Sequence, residues 1–322
     1  MKKILILNEG GGLGDFIYKA FIIMFYLKIE YNHKLFYYEL YKNNKYIKFY
    51  KKYFNDIFTY VDSNNIPEVN DTIICSGNKK DYEQIITNSI LYYYKYGKAY
   101  KYYNYINCCN KEYFSIDGYI FPKIHYYMYK KFYNKNYFCV KKNTITISIG
   151  SVSRRNKGIT DKVFQDIITD LVIENKLINF CVIGFEKDIL SDKFKNMMNS
   201  NPNNLLNLIN KDKGLKDIIN ILYHSKVFLT RCSGLKHLAG LLNTEIISIK
   251  PYLRGFESFN FLKDDLIEYD INDYNKHPFF YEQWCPISKK YTRIVEFKKF
   301  NFLYNNYFFY NLLNKTIKQY LK

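Results

Sequence analysis

Three stretches of the 322-residue chain carry residue types that could handle an anionic ligand. The first is Asn8-Glu-Gly-Gly-Gly-Leu-Gly-Asp15, a glycine-rich turn whose bare backbone can approach a bound molecule closely. It ends on a carboxylate at the first turn of the helix that follows. There the helix dipole favours the ionised form by about 0.3–1 kcal/mol. Asp15 could thus serve as a base, or simply as a good first-turn residue. The second stretch, Ser151-Val-Ser-Arg-Arg-Asn-Lys157, groups hydroxyls and cations in one loop. The third is Val227-Phe-Leu-Thr-Arg-Cys-Ser-Gly-Leu-Lys-His-Leu-Ala-Gly240. Ser233-Gly234 offer a cap and a residue free to take positive φ, so a helix can start there. The N–H groups of Ser233, Gly234 and Leu235 would then open at the end of a buried strand and form a ready phosphate or diphosphate site. A βαβ unit that only packs has the same pattern. His237 follows Ser233 by four residues, one turn on, and falls on the same helix face.

The elements that must position these stretches alternate strand and helix. Lys3 to Leu7, Leu35 to Tyr38, Ile57 to Val61 and Thr72 to Cys75 read as strands, with helices over Phe16 to Leu27, Lys45 to Phe54 and Tyr82 to Tyr94. After a connector near 138–142 the pattern restarts with a strand from Ile145 and a helix from Thr160 to Glu174. Strands at Ile178 to Ile183 and Leu205 to Leu208, a helix from Lys216 to Tyr223, and the strand pair Val227–Leu229 and Ile246–Ile249 complete it. Unalternated apolar runs of this kind suit strands buried on both faces of a parallel sheet. The fold class is therefore α/β, with two Rossmann-like domains in tandem at 1–138 and 143–300. An amphipathic helix at 301–322 is expected to cross back and brace the first domain. The segment Tyr92 to Tyr133, rich in tyrosine and lysine and broken by Gly97, Gly118 and Pro122, suits stacking on bases or sugars, or a solvated surface of amphipathic side chains.

Two familiar fingerprints are missing. Gly10 and Gly12 would need glycine at position 15 for G-x-G-x-x-G, where Asp15 stands, and no G-x-x-x-x-G-K-[ST] loop occurs. A nicotinamide dehydrogenase and a P-loop nucleotidase both lose ground. No Tyr-x-x-x-Lys falls within a helix expected from the sequence, which counts against an epimerase. The formal charge of +18 points to a phosphorylated ligand, nucleic acid or an acidic membrane surface. A/T-rich coding explains the same excess of Lys, Asn, Ile, Tyr and Phe. Seven cysteines without C-x-x-C or metal spacing fit a reducing compartment, with Cys75, Cys139 and Cys181 in apolar runs and Cys108-Cys109 as free thiols. The apolar run after Met1-Lys-Lys is too short for a signal peptide, and no run approaches the ~20 apolar residues of a membrane span.

Taken together, the motifs resemble the heptosyltransferase family, glycosyltransferase family nine, along most of the chain. Gly12-Leu-Gly-Asp15 is similar to that family's glycine–Asp loop, whose Asp is its proposed general base. Ser151-Val-Ser-Arg-Arg-Asn-Lys157 looks like its diphosphate-gripping segment, and Gly184-Phe-Glu186 sits where the family has a Gly-x-Glu turn that holds the ribose. Cys232-Ser-Gly-Leu-Lys-His-Leu-Ala239 is similar to its Asp-Ser/Thr-Gly-x-x-His-Leu-Ala signature, the most specific of the four. Two departures stand out: Cys232 replaces the family's Asp, and Ile159-Thr160 replaces Trp-Pro after the lysine. They leave the donor sugar, and heptose in particular, undetermined.

The resemblance implies two Rossmann-like domains of GT-B type facing a cleft and an inverting, metal-independent sugar transfer from a nucleotide-diphosphate donor to a glycan or glycolipid, as in lipopolysaccharide synthesis. Asp15 is the expected catalytic base, on an acceptor loop that includes Gly12 and Gly14. Ser153, Arg154, Lys157, Glu186, Ser233, Gly234, Leu235 and His237 are expected to bind the donor. No cofactor is expected beyond the nucleotide sugar, and Asp264-Asp265 reads as a solvated turn rather than a metal motif. Trp284 suits either the cleft or an apolar seam. The expected location is the cytoplasm, at the inner face of an anionic membrane; nucleic acid is the less favoured partner. A basic nucleic-acid- or membrane-binding protein on an inactive transferase scaffold is the alternative from another class.

Overall fold

The computed structural model describes residues 1–8, 12–39, 46–76, 100–104, 117–137, 140–141, 143–150, 161–210, 214–231, 233–250, 292–296 and 306–321. They fall into two units, the first taking in Met1–Ile124 and the second the described residues from His125 onward.

The first unit is built on a five-stranded parallel sheet: β1 (Lys3–Asn8), β2 (Lys34–Glu39), β3 (Thr59–Tyr60), β4 (Asp71–Ser76) and β5 (Tyr100–Asn104), in the order β3-β2-β1-β4-β5. After β1 comes a short helix, α1 (Leu13–Asp15), with Gly12 as its N-cap. A π-helical stretch Phe16–Phe21 carries it into α2 (Ile22–Tyr31), and α3 (Ile47–Tyr53) follows β2. Asn32 closes α2 in the left-handed region, with its N–H on the carbonyls of Leu27 and Lys28. The core beneath is aromatic: Phe16 stacks on Tyr50 with centroids 3.7 Å apart and meets Tyr37 edge-on. The strand expected over Ile57 to Val61 pairs at Thr59 and Tyr60, with Val61 N donating to the Tyr37 carbonyl (2.9 Å) just beyond; Ile57 and Phe58 are buried outside the ladder.

The second unit repeats the plan with one strand more: β6 (Thr144–Ser148), β7 (Phe180–Ile183), β8 (Leu205–Asn207), β9 (Ser225–Arg231), β10 (Glu245–Lys250) and β11 (Thr292–Glu296), all parallel, in the order β11-β10-β9-β6-β7-β8. Both sheets therefore have the Rossmann order, in which strand order reverses beside the first strand of the unit. Helices α5 (Asp161–Glu174), α6 (Asp192–Ser200), α7 (Leu215–His224) and α8 (Gly234–Leu241) link these strands.

Three features depart from expectation. The Tyr/Lys-rich segment holds a strand, β5, and a long helix, α4 (Asp117–Phe132), which continues through Pro122. Pro122 is the sixth residue of α4, so it removes the N–H that would bond the carbonyl of Gly118. The division between units falls within α4 rather than at 138–142, because its later part is held by the second unit: His125 Nε2 donates to the Gly240 carbonyl (3.1 Å), and Asn134 N to Asn220 Oδ1 (2.9 Å). The C-terminal helix α9 (Asn306–Leu321), expected to brace the first domain, is seated in the second unit's core. Tyr310, Leu313 and Ile317, one helical face, pack with Phe164, Ile168 and Leu171 of α5, and the Tyr310 hydroxyl donates to the Glu174 carboxylate. The helix expected over Tyr82 to Tyr94 lies outside the described residues, as do Asp264, Asp265 and Trp284.

Candidate functional site

In an open parallel sheet the natural crevice lies beyond the carboxyl ends of the strands, where the order reverses. In the second unit that point is between β6 and β9, with β7 on the far side of β6. Adjacent strands are ~4.8 Å apart, so the ends of β7 and β9 stand roughly 10 Å from each other, the scale of a nucleoside diphosphate. Two candidate stretches leave the sheet along this row: Glu186 follows β7, and Ser233, Gly234, Leu235 and His237 follow β9. In the sequence, Ser151–Lys157 comes after β6. Ser153, Arg154 and Lys157 themselves lie outside the described residues.

At the end of β9, Ser233 is the extended N-cap of α8. Its hydroxyl does not cap the helix but lies 3.2 Å from Thr230 Oγ1. Gly234 is the first helical residue and does not take the positive φ that the sequence suggested; among the described glycines only Gly184 does so. The first turn of α8 thus opens at the switch point without a side chain of its own on its N–H groups. Burial holds the His237 imidazole well below its ordinary value, and the positive charge of Lys236 adds to the effect, so His237 is neutral at pH 7.

Lys236 itself is the residue that sequence reasoning missed. It is 2% exposed, in the first turn of α8, and among the described residues no carboxylate pairs with it. Burying an ammonium is costly, and the helix dipole at this end favours anions, not cations. Both penalties vanish when an anion sits at the helix start. The signal was present in the sequence only as a lysine inside an otherwise apolar helix.

After β7 the chain turns through Gly184, whose φ of 153° excludes a side chain; a Cβ there would come 2.6 Å from Ile149 Cγ1. Glu186 opens a short 3-10 turn, Glu186–Asp188. Asn210 clamps it twice, accepting from Glu186 N (2.6 Å) and donating through Nδ2 to Glu186 Oε2 (2.8 Å). From below, buried Gln165 donates to the Asp188 carbonyl (2.6 Å) and accepts from the N–H groups of Leu190 and Ser191. The exposed Glu186 carboxylate is therefore carried by a rigid turn. Asp188 in turn packs against Gly150, where a Cβ would meet its Oδ2 at 2.5 Å; bare backbone at the end of β6 is a packing requirement.

In the first unit, Gly12 is the N-cap from which α1 departs, and its carbonyl accepts from Phe16 N at 3.0 Å. Gly14 is buried and Asp15 is the third helical residue, in the first turn as expected; the description of Asp15 extends to its backbone. A buried polar cluster lies at the carboxyl ends of β1 and β2. Tyr37 OH donates to Glu39 Oε2 (2.6 Å), and Asn8 Nδ2 reaches both Tyr37 OH (3.0 Å) and Glu39 Oε2 (3.1 Å). Burial first, then the Glu39 charge, raises the Tyr37 phenol well above its ordinary value, so it remains a donor. This cluster fixes the carboxyl end of β1, four residues before Gly12. Among the described residues no three His, Cys, Asp or Glu side chains gather as metal ligands, and no helix is long and apolar enough to cross a membrane.

No protein-family model matches the sequence, and no curated protein matches it. Solved structures do match. The glycosyl transferase family 9 protein from Veillonella parvula superposes with a TM-score of 0.56 at 10% identity, over 99% of this chain and 97% of that one. The ADP-heptose LPS heptosyltransferase II of E. coli gives 0.52 at 11% identity, over 99% of each chain. The chain therefore shares the fold of these two glycosyltransferases, the two-domain GT-B architecture.

Proposed function

We propose that the protein is an inverting glycosyltransferase that moves a sugar from a nucleotide-diphosphate donor to a hydroxyl of a glycan or glycolipid. The observation that carries this reading is the first turn of α8 at the β6/β9 switch point, with a nearly buried Lys236 beside it that no carboxylate pairs among the described residues. A diphosphate is the ligand that relieves both the cation and the helix end.

In the reaction, the acceptor oxygen attacks the anomeric carbon from the face opposite the diphosphate. The bond from that carbon to the phosphate oxygen breaks, and the acceptor proton passes to the Asp15 carboxylate. Charge that develops on the leaving diphosphate meets preorganised donors: the N–H groups of Gly234 and Leu235, the ammoniums of Lys157 and Lys236, and the hydroxyls of Ser153 and Ser233, with Arg154 at the loop. These supply positive charge without calling on a metal. Glu186, on its clamped turn, binds the ribose, and neutral His237 accepts or donates a hydrogen bond to donor sugar or phosphate. Gly12 and Gly14 let the acceptor approach the base. The solved neighbours share this fold, and the E. coli one is described as acting with ADP-heptose; for this chain the sugar is hexose- or heptose-like. A nucleotide-sugar donor suits a cytoplasmic enzyme working at the inner face of a membrane.

The test is Asp15→Asn. Transfer should fall by ~10²–10⁴-fold, the usual worth of a general base, while nucleoside-diphosphate affinity persists. Full turnover in that variant would remove Asp15 from the mechanism.

A further inference from the structure

We infer that the outer face of α4 and the turn that follows it form a docking surface for an anionic phospholipid bilayer. The inference does not depend on the transferase reading. From Gly118 to Thr144 the sequence holds six lysines and no Asp or Glu, and of the six Lys123 pairs with Glu30; the others are the charge complement of an acidic surface. Within this run α4 turns Ile124, Met128 and Phe132 inward and leaves Tyr126 (63% exposed) and Tyr129 (47%) outside. Lys130 Nζ sits 5.4 Å above the Tyr126 ring and Lys131 Nζ 4.8 Å above that of Tyr127. Each pair is a cation on an amphipathic ring, the combination that settles at the headgroup layer.

Ring geometry favours lipid over nucleic acid. Bases bind by stacking on free aromatic faces. Here the faces are already in use: Tyr129 stacks on Tyr133 (4.5 Å, 19°), Tyr133 on His224 (5.2 Å, 28°), and Tyr223 closes the group edge-on to both tyrosines. What remains outward is phenol edge and ammonium. The group is also rigid, since His224 Nε2 donates to the Asn134 carbonyl (2.9 Å) and binding need not order it.

The test is sedimentation of the full chain with large vesicles, either phosphatidylcholine alone or phosphatidylcholine with phosphatidylserine. The wild type should pellet with the anionic vesicles only, and less as salt rises. Lys130→Glu with Lys131→Glu should lower the partition coefficient about ten-fold or more. Tyr126→Ser with Tyr129→Ser should lower it at unchanged net charge. Unchanged circular dichroism and nucleotide response in both variants would show that the fold is intact. The proposal is overturned if the wild type ignores anionic vesicles, if the variants pellet as it does, or if only a polynucleotide, and no vesicle, is retained.

Discussion

Phe16, the residue after Asp15, lies with its ring on that of Tyr50, centroids 3.7 Å apart and planes 14° from parallel. Both side chains are buried, and Tyr37 and Phe54 close around Phe16. The position of the candidate base is thus set by an aromatic anchor one residue away, at a point where α1 passes into a π-helical stretch. Phe16→Leu removes the ring pair and part of the packing, and should destabilise by roughly 1–3 kcal/mol in urea titrations. Turnover should fall while donor affinity stays, because the proposed donor contacts belong to the other sheet. Equal losses in both would show that Phe16 serves general stability alone.

The clamp between Glu186 and Asn210 invites a swap. Asn210→Asp faces Glu186 with a second carboxylate and should weaken nucleoside-diphosphate binding by about five-fold, the equivalent of ~1 kcal/mol. Adding Glu186→Gln restores a donor–acceptor pair and should recover part of the clamp. Titration calorimetry on the three variants checks this; additive losses would mean that the pair does not act as a unit.

Gly184 has no room for a side chain. Gly184→Ala places a methyl in a left-handed backbone and against Ile149, and should cost ~2 kcal/mol or more. Gly214→Ala is the control, since its nearest neighbour would be Asp217 Oδ2 at 3.9 Å and its φ is −59°. Denaturant midpoints that move equally would contradict the strain at Gly184.

His237 gives the pH dependence a sign. Its folded-state value is depressed below 6.5, so the unfolded chain takes up a proton first as pH falls. Stability is fully present above pH 6.5 and declines as pH drops toward the depressed value, below which it levels. His237→Phe should flatten the acidic limb of the Tm–pH curve relative to the wild type; an unchanged limb would assign it to other groups.

Much of this architecture was legible in the sequence because its strands are short apolar runs between turn residues. β1, β2, β6, β7, β9 and β10 all announce themselves so, and Asp15, Glu186 and Ser233 fall at the strand ends where the motifs put them. What stayed hidden had physical reasons. α4 mixes tyrosine, lysine and Pro122, which obscures a helical stripe although Ile124, Met128 and Phe132 form one. α6 rests on just two buried anchors, Phe194 and Met197, with Ser191 as its cap. The seat of α9 was not legible because an apolar face does not name its partner. Lys236 escaped because a lysine is expected to be solvated, and only the surrounding helix packing reveals its burial.

The account rests on a diphosphate at the start of α8, and Lys236→Met tests it most directly by thermal shift with UDP, GDP, ADP and CMP. In the wild type one nucleoside diphosphate at ~100 times its Kd should add ~2.7 kcal/mol of stability, a shift of several degrees. The methionine variant, relieved of a buried charge, should be at least as stable without ligand and should lose most of the shift. A wild type that no diphosphate stabilises, or a variant that responds as fully as the wild type, would contradict the claim.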